Sequence, residues 1–253
     1  MTGLQPGLPE GYRLISRETV GSTNDEAKRF ARSGAEEGTL VWALEQTAGR
    51  GRRGRAWSSP LGNLYASLVL RPACPLDRAT QLGFVAALGV GDALAALVPG
   101  LCEPALKWPN DVLVGGRKIA GILLESEIGD GGNPAFIIVG VGINLVSAPV
   151  NAEFPATSVA REGHRPPEPA AMLEPFARHF DSWAQCWRTE GFAPVRLAWR
   201  TRAGGFGQPI QVRLETTTLH GRFADIDQQG VLLLDTPDGR RHISAGDVFP
   251  ATR

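Results

Sequence analysis

Apolar positions along this 253-residue chain take helical and strand spacing in turn, and the switches between the two mark out its elements. Ser22 stands three residues ahead of Asp25, and Ala27, Phe30 and Ala31 follow at helical spacing. This predicts a helix opened by a capping box and closed near Gly34. Residues 39–44 form a short apolar run, read as a buried strand. From 46 to 57 no hydrophobic period survives, which predicts a loop. Residues 64–70 alternate weakly as a strand does, and Pro75 and Asp77 open a long apolar helix reaching about Val98. Residues 111–114 and 118–127 flank Gly115-Gly116-Arg117, a hairpin composition in which glycine supplies positive φ. Residues 135–145 read as a further strand. Residues 168–190 then carry Leu173, Phe176, Phe180, Trp183 and Trp187 on one helical face, a stripe that belongs to the core.

The texture changes after Gln208. Short β-rich runs at 210–215, 219–226, 231–235 and 241–243 are separated by turns such as Pro237-Asp238-Gly239. They predict a small all-β, barrel-like unit behind a boundary near Ala203-Gly204-Gly205. The expected division is a larger domain over 1–203 and a smaller one over 204–253.

Composition narrows the class. Hydrophobic residues make up 43% and charged residues 21%, enough apolar material for a packed core. Lys+Arg and Asp+Glu both number 26, and only one short segment is basic, which counts against a dedicated nucleic-acid binder. Cys74, Cys102 and Cys186 lie far apart, and His164, His179, His220 and His242 are equally scattered, so neither disulfides nor a zinc site is expected. The N-terminus has no apolar signal core. The most apolar stretch, 82–98, holds Asp92 and several glycines and reads as a buried helix, too short and interrupted for a membrane span. The expected compartment is the cytoplasm.

Four segments carry chemistry. Gly49-Arg50-Gly51-Arg52-Arg53-Gly54-Arg55 interleaves four arginines with three glycines. Guanidinium forks grip phosphates and carboxylates, and glycines let backbone N–H groups approach an anion. A solvated basic loop or an arginine-glycine nucleic-acid tract has the same composition. With four like charges and so much glycine, the loop is expected to be mobile until an anion binds. In Lys107-Trp108-Pro109-Asn110-Asp111, Pro109 ends one segment and presents Asn110 and Asp111, oxygen donors suited to Mg²⁺; a polar turn beside a packed tryptophan is the plainer alternative. In RKIAGILLE, Lys118 enters an apolar strand, where its ammonium either faces water at an edge or points into a cleft toward an anion. Gly140-Val141-Gly142-Ile143-Asn144 strips side chains from one strand face, leaving room for a flat ligand or for close packing.

The order of these blocks, Ser22-Thr23-Asn24, Gln46 with GRGRRGR, KWPND, RKIAGILLE and GVGIN, closely resembles the catalytic domain of biotin protein ligases. The resemblance implies an α+β fold: a mixed β-sheet flanked by helices, followed by an SH3-like barrel. It implies ATP-dependent activation of biotin as biotinyl-5′-AMP, with Mg²⁺, and transfer to a lysine of the biotin carboxyl carrier protein domain of a biotin-dependent carboxylase. Ser22, Thr23, Asn24, Gln46, Arg50, Gly51, Arg52 and Lys118 would bind biotin. Arg52, Arg53, Arg55, Lys107, Asn110, Asp111 and Asn144 would bind ATP, and Asp111 would hold the metal. Arg52 and Lys118 would be the catalytic cations. A homodimer is compatible with this type; no membrane is implied. Family members that repress transcription carry an N-terminal helix-turn-helix domain, which needs roughly sixty residues. About twenty precede the Ser22 helix here, so specific DNA binding is not expected.

Overall fold

The computed structural model describes residues 7–251. Seven strands form one sheet: β1 (Arg13–Val20), β2 (Thr39–Gln46), β3 (Leu64–Leu70), β4 (Ala105–Lys107), β5 (Asp111–Val114), β6 (Arg117–Ile128) and β7 (Pro134–Ile143), in the order β1-β2-β3-β7-β6-β5-β4. β1 and β2 run parallel, joined through helix α1 (Thr23–Arg32); the other neighbours are antiparallel. The helices α2 (Leu76–Ala79), α3 (Leu82–Leu97), α4 (Pro169–Glu190) and α5 (Phe192–Thr201) follow in chain order.

Side-chain alternation explains the layering. Val41, Val69, Phe136 and Ile138 pack with Ala27 and Ala31 of α1, while their neighbours Leu40, Trp42, Leu68, Leu70 and Ile137 join α3 and α4 on the other face. Each fully buried leucine here contributes about 1.5–3 kcal/mol by leaving water. Helices α3 and α4 approach closely at Gly89, where a β-carbon would lie 3.0 Å from the Phe180 backbone nitrogen. The apolar segment Leu76–Leu97, 22 residues holding an 18-residue window of mean hydropathy 1.5, is by length and composition long and apolar enough to cross a membrane. In this fold 72% of that window is buried against the rest of the chain. The expected single helix is also broken, at Thr80 and Gln81 between α2 and α3.

Behind residue 203 lies a five-stranded antiparallel sheet, built from β8 (Pro209–Arg213), β9 (Thr218–Ile226), β10 (Leu232–Thr236), β11 (Gly239–Ile243) and β12 (Asp247–Pro250) in the order β11-β10-β9-β8-β12. Its core residues Ile210, Phe223, Ile226 and Leu232 belong to the same hydrophobic cluster as Phe84, Leu106 and Trp108. Trp108, 1% exposed, donates its indole N–H to the Gly230 carbonyl at 3.0 Å. The tryptophan of the KWPND segment thus bolts the two sheets together.

Four elements escaped the hydrophobic pattern: three strands and helix α5. β1 is a polar edge strand with only β2 as neighbour, β4 has three residues, and β12 ends on Pro250. Helix α5 carries Pro194 in its first turn, where the missing N–H costs no helical bond. The capping box at Ser22 is a correction. Ser22 takes the N-cap position with extended φ and ψ, but no side-chain cap bond forms. The Asp25 carboxylate is drawn instead to a guanidinium of the arginine loop.

Candidate active site

The N-terminus of α1, the end of β2, the arginine loop and the facing strands β6 and β7 enclose a cavity of about 640 Å³. One end is neutral and polar. The Thr23 backbone N–H and hydroxyl both donate to Gln46 Oε1, at 2.8 and 3.0 Å, and Gln46 Nε2 donates to Ser59 Oγ at 2.8 Å. Asn24 Nδ2 donates to Glu125 Oε2 at 2.6 Å, and Glu125 also meets Lys28 Nζ at 2.5 Å. These side chains leave the cavity little freedom in where its donors and acceptors stand.

The other end is cationic. Asp111 bridges two lysines, with Lys118 Nζ at 2.5 Å from Oδ1 and Lys107 Nζ at 2.8 Å from Oδ2. Burial alone would push the Asp111 carboxyl up, but Lys118 and Lys107 together outweigh it and hold it below the usual carboxylate range. Burial pulls the Lys107 ammonium below the ordinary lysine value, against the attraction of Asp111. Two expectations change here. The anion that makes the strand lysine tolerable is Asp111 of the chain itself, so no substrate is required to explain it. As a Mg²⁺ ligand Asp111 does not fit: both oxygens face ammonium groups, and among the described residues no three His, Cys, Asp or Glu side chains cluster to hold an ion.

The predicted loop holds a tight turn. Arg50 bridges to Ala56, the Gly51 N–H donates to the Arg55 carbonyl at 2.7 Å, and the Trp57 N–H to the Gly49 carbonyl at 2.9 Å. Arg53 holds φ 55°, a region glycine normally occupies. All four arginines have acidic partners. Arg50 pairs with Asp25 through two bonds of 2.5 and 2.6 Å, which lower the Asp25 carboxyl. Arg52, Arg53 and Arg55 converge on Asp247 at the start of β12, at 3.6, 3.4 and 2.9 Å. The repulsion on which the expectation of a mobile loop rested is therefore offset within the fold. Because such partly exposed pairs are worth about 0.2–1 kcal/mol each, Asp247→Asn should speed backbone amide exchange across 51–55 several-fold. Unchanged exchange by mass spectrometry would mean that backbone bonds alone hold the turn.

Ser22, Thr23, Asn24, Gln46, Arg50, Gly51, Arg52, Arg55, Lys107, Asn110, Asp111, Lys118 and Asn144 all line this one cavity. Arg53 does not; its guanidinium turns to Asp247. Asn110 donates to the Ile122 carbonyl at 2.6 Å and Asn144 to the Thr157 carbonyl at 3.0 Å, so both amides brace the cavity wall as well as lining it. The glycines of β7 have occupants of their own. A β-carbon on Gly140 would lie 2.1 Å from Asn24 Oδ1, and one on Gly142 would lie 2.6 Å from Trp57 Nε1. Trp57 lies over this floor with its ring 5.1 Å from Lys118 Nζ, and its buried N–H meets no acceptor among the described residues. Sequence reasoning missed Trp57, Ser59, Glu153, Phe154, Asp247 and Phe249 as lining residues. The Trp57 signal, an aromatic directly after a glycine-arginine run, was visible; the C-terminal pair had none.

Residues 8–201 match the model of the biotin/lipoate A/B protein ligase family, and 205–249 that of the biotin protein ligase C-terminal domain. The chain is 45% identical over 233 residues to the biotin–acetyl-CoA-carboxylase ligase of Paracoccus denitrificans, covering 90% of this chain and 96% of that one. It is 36% identical over 250 residues to the bifunctional ligase/repressor BirA of Bacillus subtilis, covering 94% of this chain and 74% of the relative. Its fold superposes on the Aquifex aeolicus biotin protein ligase in complex with biotin and ATP with TM-score 0.79 and 27% identity, over 94% of this chain and 97% of the other. The Leishmania major biotin protein ligase in complex with biotinyl-5-AMP gives TM-score 0.62 at 26% identity, over 92% and 99%. With both family models matched in chain order and 45% identity to a biotin–acetyl-CoA-carboxylase ligase over most of both chains, the chain belongs to the biotin/lipoate A/B protein ligase family, among its biotin protein ligases.

Proposed function

We propose that this chain activates biotin with ATP and passes the biotinyl group to a lysine of a biotin carboxyl carrier protein domain. The observation that carries this reading is the polarity of this cavity: fixed neutral donors and acceptors at Thr23 and Gln46, and Arg52, Lys107 and Lys118 at the other end. That gradient suits a molecule with an uncharged ureido head and a carboxylate tail. One biotin carboxylate oxygen attacks the α-phosphorus of ATP, a carboxyl–phosphate bond forms, and pyrophosphate leaves. The neutral amine of the acceptor lysine then attacks the acyl carbon, AMP departs, and the amine proton goes to water. The first step brings a carboxylate against a polyphosphate, so preorganised cations are the chief requirement, and Lys118 and Arg52 stand where they can meet the new charge. No covalent bond to the protein is needed. Mg²⁺ would be held by the phosphates of ATP, since Asp111 is already occupied by its lysines.

The cytoplasmic placement draws support from Cys74, Cys102 and Cys186, all unpaired. The zero formal net charge supports a reading without DNA as a partner. Purified protein incubated with ATP, a carrier domain and radiolabelled biotin, lipoate or octanoate tests the whole scheme. Label from biotin alone is expected; incorporation of lipoate or octanoate in preference would replace the reading with a related acyl transfer. Arg52→Ala should slow adenylation and release biotinyl-AMP before transfer, so that stray lysines on bystander proteins become labelled. A variant that labels only the carrier domain, at the normal rate, would remove Arg52 from the chemistry.

A further inference from the structure

Ser67 lies at the centre of β3 with 0% of its surface exposed, directly across the sheet from Gly140 of β7. Its hydroxyl donates to Asn24 Oδ1 at 2.6 Å and to Thr23 Oγ1 at 2.8 Å, one proton serving two acceptors. The surrounding bonds settle which way each group points. Glu125 Oε2 can only accept, so Asn24 turns Nδ2 toward it and Oδ1 toward Ser67. The Thr23 backbone N–H can only donate, so Gln46 turns Oε1 toward Thr23 and Nε2 toward Ser59 and the cavity. Thr23 directs its own hydroxyl proton to Gln46 Oε1. Toward the cavity, then, Thr23 offers a lone pair and Gln46 the second proton of its amide. An acceptor beside a donor is the complement of a cyclic urea, in which an N–H adjoins a C=O.

We infer that Ser67 is a positioning residue for ureido-head recognition: without touching the ligand, its buried hydroxyl holds the Asn24 amide and the Thr23 hydroxyl in the orientation that presents this acceptor–donor pair. When a ligand N–H takes the free lone pair of Thr23, Asn24 Oδ1 remains a partner for the Ser67 proton, so the ligand is admitted without stranding a buried group. Remove the hydroxyl, and Asn24 Oδ1 and Thr23 Oγ1 each lose the donor that orients them at the cavity wall, leaving both groups free to turn. Gly140 fits the same arrangement, because any side chain there would displace Asn24. The inference rests on the biotin reading of the cavity.

The test is isothermal titration and steady-state adenylation with wild type, Ser67→Ala and Ser67→Cys, using biotin, desthiobiotin and ATP. Ser67→Ala should weaken biotin and desthiobiotin alike by about tenfold, the factor that corresponds to loss of one hydrogen bond's orienting effect. KM for biotin should rise in parallel, while ATP affinity, kcat at saturating biotin and the thermal midpoint stay close to wild type. Ser67→Cys, of similar size but a weak donor, should fall between the two. Unchanged biotin affinity in Ser67→Ala overturns the inference alone. So does joint loss of biotin affinity, ATP affinity and kcat, the mark of a merely structural residue. Wild-type protein that binds no biotin overturns the biotin reading, and the inference with it.

Discussion

Lys118→Gln is expected to slow pyrophosphate release in single-turnover assays by about 10²–10³, the usual cost of removing one preorganised charge donor, while the protein stays folded. Lys118 is partly accessible from the cavity and is one of two ammonium groups on Asp111. With Lys118 neutral, Lys107 at 2.8 Å still compensates the Asp111 carboxylate, so no buried charge is orphaned. What disappears is the cation that can turn toward developing negative charge on the carboxylate and α-phosphate. Lys118→Arg should recover little. A β-carbon on Gly121 would already lie 3.1 Å from Lys118 Cε and from the Trp57 ring, so the floor beneath the ammonium is crowded and a planar guanidinium has a different outline. A folded Lys118→Gln protein that adenylates biotin at the wild-type rate would reduce this lysine to a structural partner of Asp111.

Asp111→Ala should cost about 3–5 kcal/mol of stability, because it leaves the buried Lys107 ammonium, with the partly accessible Lys118 beside it, without their shared anion. Denaturant midpoints at neutral pH measure this directly, and a midpoint equal to wild type would show that Lys107 and Lys118 find other partners. The pH dependence has a defined sign. The Asp111 carboxyl titrates lower in the folded chain than in the unfolded one, so its contribution is complete above the ordinary carboxylate range and fades as pH falls through its depressed value. Asp111→Asn should lack that acid-side loss. Lys107 also titrates below its ordinary value, so the unfolded chain keeps that proton longer, and stability rises with pH between the folded and unfolded values. Because Asp111 raises Lys107, Asp111→Asn should start this alkaline rise at lower pH.

Local signals were enough for much of the molecule. The α1 periodicity, the apolar runs of β2 and β3, the Gly115-Gly116 turn with φ 55° and 74°, and the aromatic stripe of α4 are properties of neighbouring residues, and each appears where its spacing placed it. The motif order also brought Thr23, Gln46, Arg52, Lys107, Asp111 and Lys118 to one cavity, since each stands at an end or turn of an element whose type its neighbours set. Partnership is another matter. Arg53 and Asp247 are 194 positions apart, Asn24 and Glu125 are 101, and Trp108 and Gly230 are 122. No periodicity couples residues at such distances, so the chain alone could not say that Asp247 would draw three arginines together. Nor could it say that Asp111 would be occupied by two lysines, or that Asn24 and Trp57 would lie on the β7 glycines. Element type follows from short-range sterics and the placement of apolar side chains, which the order of residues carries within a few turns. Which charge neutralises which, and which atom fills a given space, follows from packing between distant segments, and exists only once the sheets, helices and loop have come together.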